Sequence, residues 1–147
     1  ETGYGVNYSG IEGLSLSYAV TDETTHAGSD TSGDNTVIKA SYAYGPVTVA
    51  YSEMEHDEGL SSGATDITMT SYALTYTMSD ELSVTYGSET SDKGSKTTDL
   101  EVEGISVAYT TGGMTISASS MSLENGNWGT GSEEDMDYWA LGASFAF

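Results

Sequence analysis

Five carboxylates stand in alternating positions beside apolar runs: Glu53 and Glu55, Glu101 and Glu103, and Asp137. Hard oxygen donors of this kind suit Ca²⁺ or Mg²⁺. The same charges also serve to keep loops solvated, and both uses stay open. The run Asp30-Thr31-Ser32-Gly33-Asp34-Asn35 offers further oxygens but lacks the spacing and the closing Glu of an EF-hand. His26 and His56 are the only histidines, and both are expected in solvated loops. With no Cys there is no thiolate metal site, disulfide or cysteine nucleophile. No G-x-S-x-G occurs, and among 22 Ser none is singled out as a nucleophile. Neither catalysis nor an organic cofactor is expected, and Ca²⁺ or Mg²⁺ at the outer loops is the one ligand the residues suggest.

Composition narrows the field further. Three Lys+Arg against 23 Asp+Glu give a net charge of -20, and three cations cannot neutralise a run of phosphates, so nucleic acid is excluded as a partner. No stretch approaches the roughly 20 consecutive apolar residues of a transmembrane helix. The start, Glu1-Thr2-Gly3-Tyr4, has neither the basic region nor the apolar core of a signal peptide. That leaves a mature product, a fragment or, least in keeping with the rest, a cytoplasmic protein. Ser and Thr together make 42 of 147 residues, with 18 Gly, 11 Tyr and one Pro, Pro46. That mixture suits strands and turns rather than helices.

The elements that must carry these residues are visible as a repeat. Leu14-Ser15-Leu16-Ser17-Tyr18, Val47-Thr48-Val49-Ala50-Tyr51, Leu82-Ser83-Val84-Thr85-Tyr86 and Met114-Thr115-Ile116-Ser117-Ala118 begin 33, 35 and 32 residues apart. Between them run Ile38–Tyr44, Tyr72–Tyr76 and Ile105–Tyr109, which alternate in the same way. Period-2 alternation is the strand signal, so one repeat is a hairpin. Nine antiparallel strands are predicted, at about 4–9, 14–22, 36–44, 47–55, 67–78, 82–89, 100–110, 114–123 and 136–147. Short Gly-, Pro- and Ser-containing turns fall at one end, and long acidic Gly/Ser/Thr loops at the other. Residues 1–147 read as a single all-β domain.

The two faces of such a sheet differ. One carries the apolar residues, bounded by Tyr18, Tyr51 and Tyr86 toward the long loops and by Tyr44, Tyr76 and Tyr109 toward the short turns, with Trp139 in the last strand. The other carries small or polar residues, among them Ser17, Ser41, Thr85 and Ser106, and one cation, Lys39. Lys39 either adds positive charge to that face or has no special role. Nineteen of the 23 acids belong to the long-loop end. A band of apolar residues between two aromatic rings, backed by a small polar face, predicts the wall of a transmembrane β-barrel around a water-filled lumen. The paired carboxylates would then sit just beyond the outer ring, where divalent cations bridge lipopolysaccharide phosphates.

The chain ends Trp139-Ala140-Leu141-Gly142-Ala143-Ser144-Phe145-Ala146-Phe147. This terminal run resembles the closing strand of bacterial outer-membrane proteins. Together with Thr111-Gly112-Gly113-Met114-Thr115-Ile116-Ser117 and the hairpin period, it resembles the general porins of Gram-negative bacteria, those of marine alphaproteobacteria most closely. The resemblance implies a sixteen-stranded barrel in the outer membrane, assembled as a homotrimer, passing small hydrophilic solutes and ions by passive diffusion. It also implies that Phe147 is an assembly signal for the barrel-assembly machinery. Nine strands would be the C-terminal part of such a barrel. An odd number leaves the first and last strands running the same way, unable to pair antiparallel. A different class, a secreted acidic β-rich structural or adhesion protein dependent on Ca²⁺, would show shorter repeats with regular Asp-Gly ligands, which are not found.

Overall fold

A computed structural model describes residues 2–24, 32–59, 66–131 and 134–146. The strands are β1 (Thr2–Tyr8), β2 (Leu14–Thr24), β3 (Ser32–Tyr44), β4 (Val47–Asp57), β5 (Ile67–Thr77), β6 (Leu82–Lys93), β7 (Leu100–Thr111), β8 (Met114–Glu124) and β9 (Met136–Phe145). All nine pair with their sequence neighbours, every pair antiparallel, in one sheet of order β1 to β9. The sheet is not closed: β1 and β9 are its two edges. Among the described residues one 3₁₀ turn, Gly126–Trp128, is present, in the connection between β8 and β9.

The tight turns follow from their residues. Gly112 and Gly113 both take positive φ, +56° and +81°, as a two-residue type I′ hairpin requires. Gly45 supplies a positive φ of +56° just before Pro46, which suits Gly at the first central position of a II′ turn. Between β5 and β6 the Ser79 hydroxyl accepts from the Glu81 and Leu82 amides at 3.3 and 3.2 Å.

Nine antiparallel strands in one sheet are what the alternation predicted, but the strands run further at the long-loop end. β3 begins at Ser32 rather than 36, β4 reaches Asp57 rather than 55, and β6 reaches Lys93 rather than 89. The added residues are polar on both faces, so alternation does not mark them. They are held by the ladder itself, through Asp34↔Asp57 and Ile67↔Lys93. His56 is accordingly a strand residue and not a loop residue, a correction to its expected place. His26 lies outside the described residues.

The sheet has no core. Among the described residues no hydrophobic side chain is buried, and Ser91, 4% exposed, is the one buried polar side chain. A sheet ordinarily hides one face against another layer; the described residues form a single layer, with no second sheet packed on either face.

Candidate functional site

Register sorts the side chains onto the two faces with little mixing. Across the sheet, Leu14 pairs Tyr42, which pairs Val49, then Leu74, Tyr86, Ile105, Ser120 and Trp139. Adjacent same-face rows hold Tyr44, Val47, Tyr76, Val84, Val107, Ala118 and Leu141, and Tyr8, Leu16, Ala40, Tyr51 and Tyr72. Of the 26 large hydrophobic residues exposed in the described chain, 20 belong to this one face. Trp139 is 77% exposed and Leu141 71%, so no described residue covers them. Tyr51 and Tyr72 meet across β4 and β5 with ring centroids 5.2 Å apart.

The aromatic residues do not follow the register rows; they cut across them. Tyr8 of β1 shares a row with Leu16, Ala40, Tyr51, Tyr72, Ser88, Glu103, Ser122 and, on β9, Asp137. The aromatic at the short-turn end of β9 is Phe145, eight residues further along. The lower ring therefore slips one residue per strand on average. Tyr18, Tyr51 and Tyr86, on alternate strands, slip at the same rate along the upper ring. With a rise of about 3.4 Å per residue and about 4.8 Å between strands, the rings run about 35° off the perpendicular to the strands. Strands of transmembrane barrels tilt by about that angle.

The opposite face carries Ser17, Lys39, Ser52, Ser71 and Glu89 in one register row. The Ser17 hydroxyl donates to Asn7 Oδ1 at 2.7 Å, and the Ser71 hydroxyl donates to a Glu89 carboxylate oxygen at 2.7 Å. Thr75 and Thr85 bond across β5 and β6 at 2.9 Å. A hollow of about 370 Å³ lies around Lys39, with Ser15, Ser17, Ser41, Ser52 and Ser71 in its lining. A second, of about 300 Å³, takes in Thr85, Glu89 and Ser106. The expected lumen residues Ser17, Lys39, Ser41, Thr85 and Ser106 thus share one face. Glu89, grouped by its position in the sequence with the loop acids, stands on that face too. Its parity after Ser83, Thr85 and Gly87 was the signal that could have found it.

The paired carboxylates are not gathered. Glu53 and Glu55 lie on β4, Glu101 and Glu103 on β7, and Asp137 on β9. Glu53 accepts from the Tyr51 hydroxyl at 2.6 Å, and Glu103 from the Tyr86 hydroxyl at 2.8 Å. Glu103 and Asp137 share one row through Ser122 and line a hollow of about 210 Å³ on the apolar face. Among the described residues no three His, Asp or Glu side chains converge into a metal site. Register also sets like charges opposite one another, Asp22↔Asp34↔Asp57 and Glu101↔Glu124, an arrangement that weakens a sheet unless a counter-ion intervenes. Across-strand pairing is invisible in the linear spacing, so the aspartate row was not foreseen.

At the long-loop end the small-residue face turns apolar, with Val37↔Met54↔Met69 in one row and Val102↔Leu123↔Met136 in another. There the 3₁₀ turn folds back over the sheet. The Trp128 indole N–H donates to the Ser91 carbonyl at 2.8 Å, and Lys93 Nζ stands 4.9 Å from the centre of the Trp128 ring. His56, also on this face, has Nδ1 2.6 Å from Asn35 Oδ1 and Nε2 3.9 Å from Glu58. The ring residues Tyr18, Tyr44, Tyr51, Tyr76, Tyr86, Tyr109 and Trp139 share the apolar face, while Phe147 lies outside the described residues. Compared with protein-family models, with curated proteins and with solved structures, the chain matches none.

Proposed function

We propose that this sheet is one wall of a porin-type transmembrane β-barrel in a bacterial outer membrane, lining a water-filled channel through which small hydrophilic solutes and ions diffuse, with cations favoured. The observation that carries the reading is the coreless sheet with its apolar residues in register on one face. At about 150–250 Å² per large aromatic side chain, and scaled by the observed exposures, that face presents on the order of 2,000 Å². A soluble monomer rarely shows an apolar patch beyond a few hundred Å². Lipid is the cover that asks for no specific partner, and the two aromatic rings at about 35° to the register rows suit strands tilted in a bilayer.

The open edges fit the same reading. Lipid offers no hydrogen bonds, so unpaired strand edges do not occur in the hydrocarbon region. β1 and β9 therefore need further strands, which a sixteen-stranded barrel would supply and a homotrimer would repeat. The outward carboxylates Glu53, Glu55, Glu101, Glu103 and Asp137 would face lipopolysaccharide, with Ca²⁺ or Mg²⁺ between the acids and its phosphates. Phe147 would serve the barrel-assembly machinery. The channel needs no catalytic residue. Extraction tests the class: the protein should stay with the membrane through salt and alkaline washes and leave only in detergent. Recovery in buffer as a folded monomer would refute it.

A further inference from the structure

The connection between β8 and β9 leaves the sheet at Asn125 and returns across its small-residue face. Asn125, Asn127 and Trp128 have φ values of 55°, 55° and 54°, and among the described residues they are the only ones other than Gly with positive φ. Asn tolerates the left-handed region; a bulky Trp does so only where its surroundings hold it there. Those surroundings are on the page. The Asn125 amide N–H donates to Asp135 Oδ1 at 3.0 Å, its side-chain amide donates to the Asp99 carbonyl at 3.0 Å, and the Gly126 N–H donates to the Glu134 carbonyl at 3.0 Å. Trp128 then crosses β7 to reach the Ser91 carbonyl on β6, under Lys93. Ser91 is buried in a chain that buries no other polar side chain among its described residues. Ser91, Lys93 and Leu123, against which Gly126 packs, all belong to the small-residue face.

We infer that the turn Asn125–Gly129 is a selectivity element at the mouth of the channel, held inward over the lumen face by Trp128 as its positioning residue. This rests on the reading of that face as a lumen. The turn narrows the mouth on the β6–β8 side and holds the Asp135 carboxylate, bonded to the Asn125 amide, beside the path, where it attracts hydrated monovalent cations and repels anions. Lys93, one of only three cations in the chain, is drawn onto the indole ring and away from the open path.

The absence of Cys makes the test clean. Ser91→Cys should react slowly with a water-soluble maleimide in the folded protein. Adding Trp128→Ala should speed the reaction at least about tenfold by freeing the turn. Trp128→Phe, which keeps a ring but loses the N–H, should fall between. Ser71→Cys on the same face, away from the turn, should react alike in all three backgrounds. In planar bilayers Trp128→Ala should raise single-channel conductance and weaken the cation preference at low salt. Fast labelling of Ser91→Cys with Trp128 in place would overturn the inward placement. Slow labelling with unchanged conductance and selectivity in Trp128→Ala would overturn the selectivity role. No conductance from any variant, with the labelling contrast intact, would refute the channel reading and the selectivity role with it, while the turn's placement stood.

Discussion

Leu74→Arg is the substitution that separates lipid from water most sharply. Leu74 stands midway between Tyr72 and Tyr76 on β5, beside Val49 and Tyr86 on the neighbouring strands. Two residues at about 3.4 Å each, on a strand tilted by about 35°, place it roughly 5–6 Å from each aromatic ring along the membrane normal. Arg at the midplane of a barrel's lipid face costs about 2–4 kcal/mol. A long side chain can lift its guanidinium toward an interface that close, so the lower end, about 2 kcal/mol, is the expected loss. Tyr76→Arg, already at the interface, should cost about 0–1 kcal/mol. Ala73→Arg points to the other face between Ala50 and Gly87, which leave room for it, and should cost under about 1 kcal/mol if that face is wet. Urea titration of the protein refolded into lipid vesicles, followed by tryptophan fluorescence, gives the three values. Equal losses at Leu74 and Ala73, or a larger loss at Ala73, would refute the assignment of faces.

Other outcomes follow from the same geometry. The rings are only four residues apart on β5 and six on β9, roughly 11–17 Å along the normal, so refolding yields should be higher in short-chain than in long-chain phosphatidylcholine; the reverse order would contradict the ring assignment. Reversal potentials should show cation preference at low salt that fades as the Debye length falls from about 30 Å at 0.01 M to about 3 Å at 1 M, whereas anion preference at low salt would remove the acidic mouth as the controlling element. Asp99 has its carboxyl pushed up by burial, and further by Asp92 and Glu101. Its folded form holds the proton more tightly than the unfolded chain does. Its contribution to stability is therefore present at low pH and is lost as pH rises from the ordinary carboxylate range through the raised value. Asp99→Asn should flatten that part of the pH profile in hydrogen exchange of the β6–β7 connection; an unchanged profile would place the titration elsewhere.

The strands and their faces were legible because alternation is local: Leu82-Ser83-Val84-Thr85-Tyr86 states both the element and its two sides. Turn chemistry at Gly45-Pro46 and Gly112-Gly113 then fixed the register of each hairpin. What alternation could not reveal lies where both faces are polar. The loop-ward extensions of β3, β4 and β6 are of this kind. Nor could linear spacing show that Asp22, Asp34 and Asp57 would stand in one row, since that depends on two registers at once. The inward turn at Trp128 has only a faint local signal, the left-handed tolerance of Asn125 and Asn127. Its destination on β6 is a contact 37 residues away in sequence, which no short window contains.

The most direct test of the central claim is cysteine scanning of residues 71–76 on β5 in the membrane-inserted protein. Cys at 71, 73 and 75 should react with a water-soluble maleimide. Cys at 72, 74 and 76 should stay unreacted, and a fluorophore attached there before insertion should be quenched by brominated lipid. Alternation with period two in both readouts, opposite in phase, is the predicted result. Equal reactivity along the strand, or water-accessible labelling at 72, 74 and 76 without quenching by lipid, would contradict a wall with lipid on one side and water on the other.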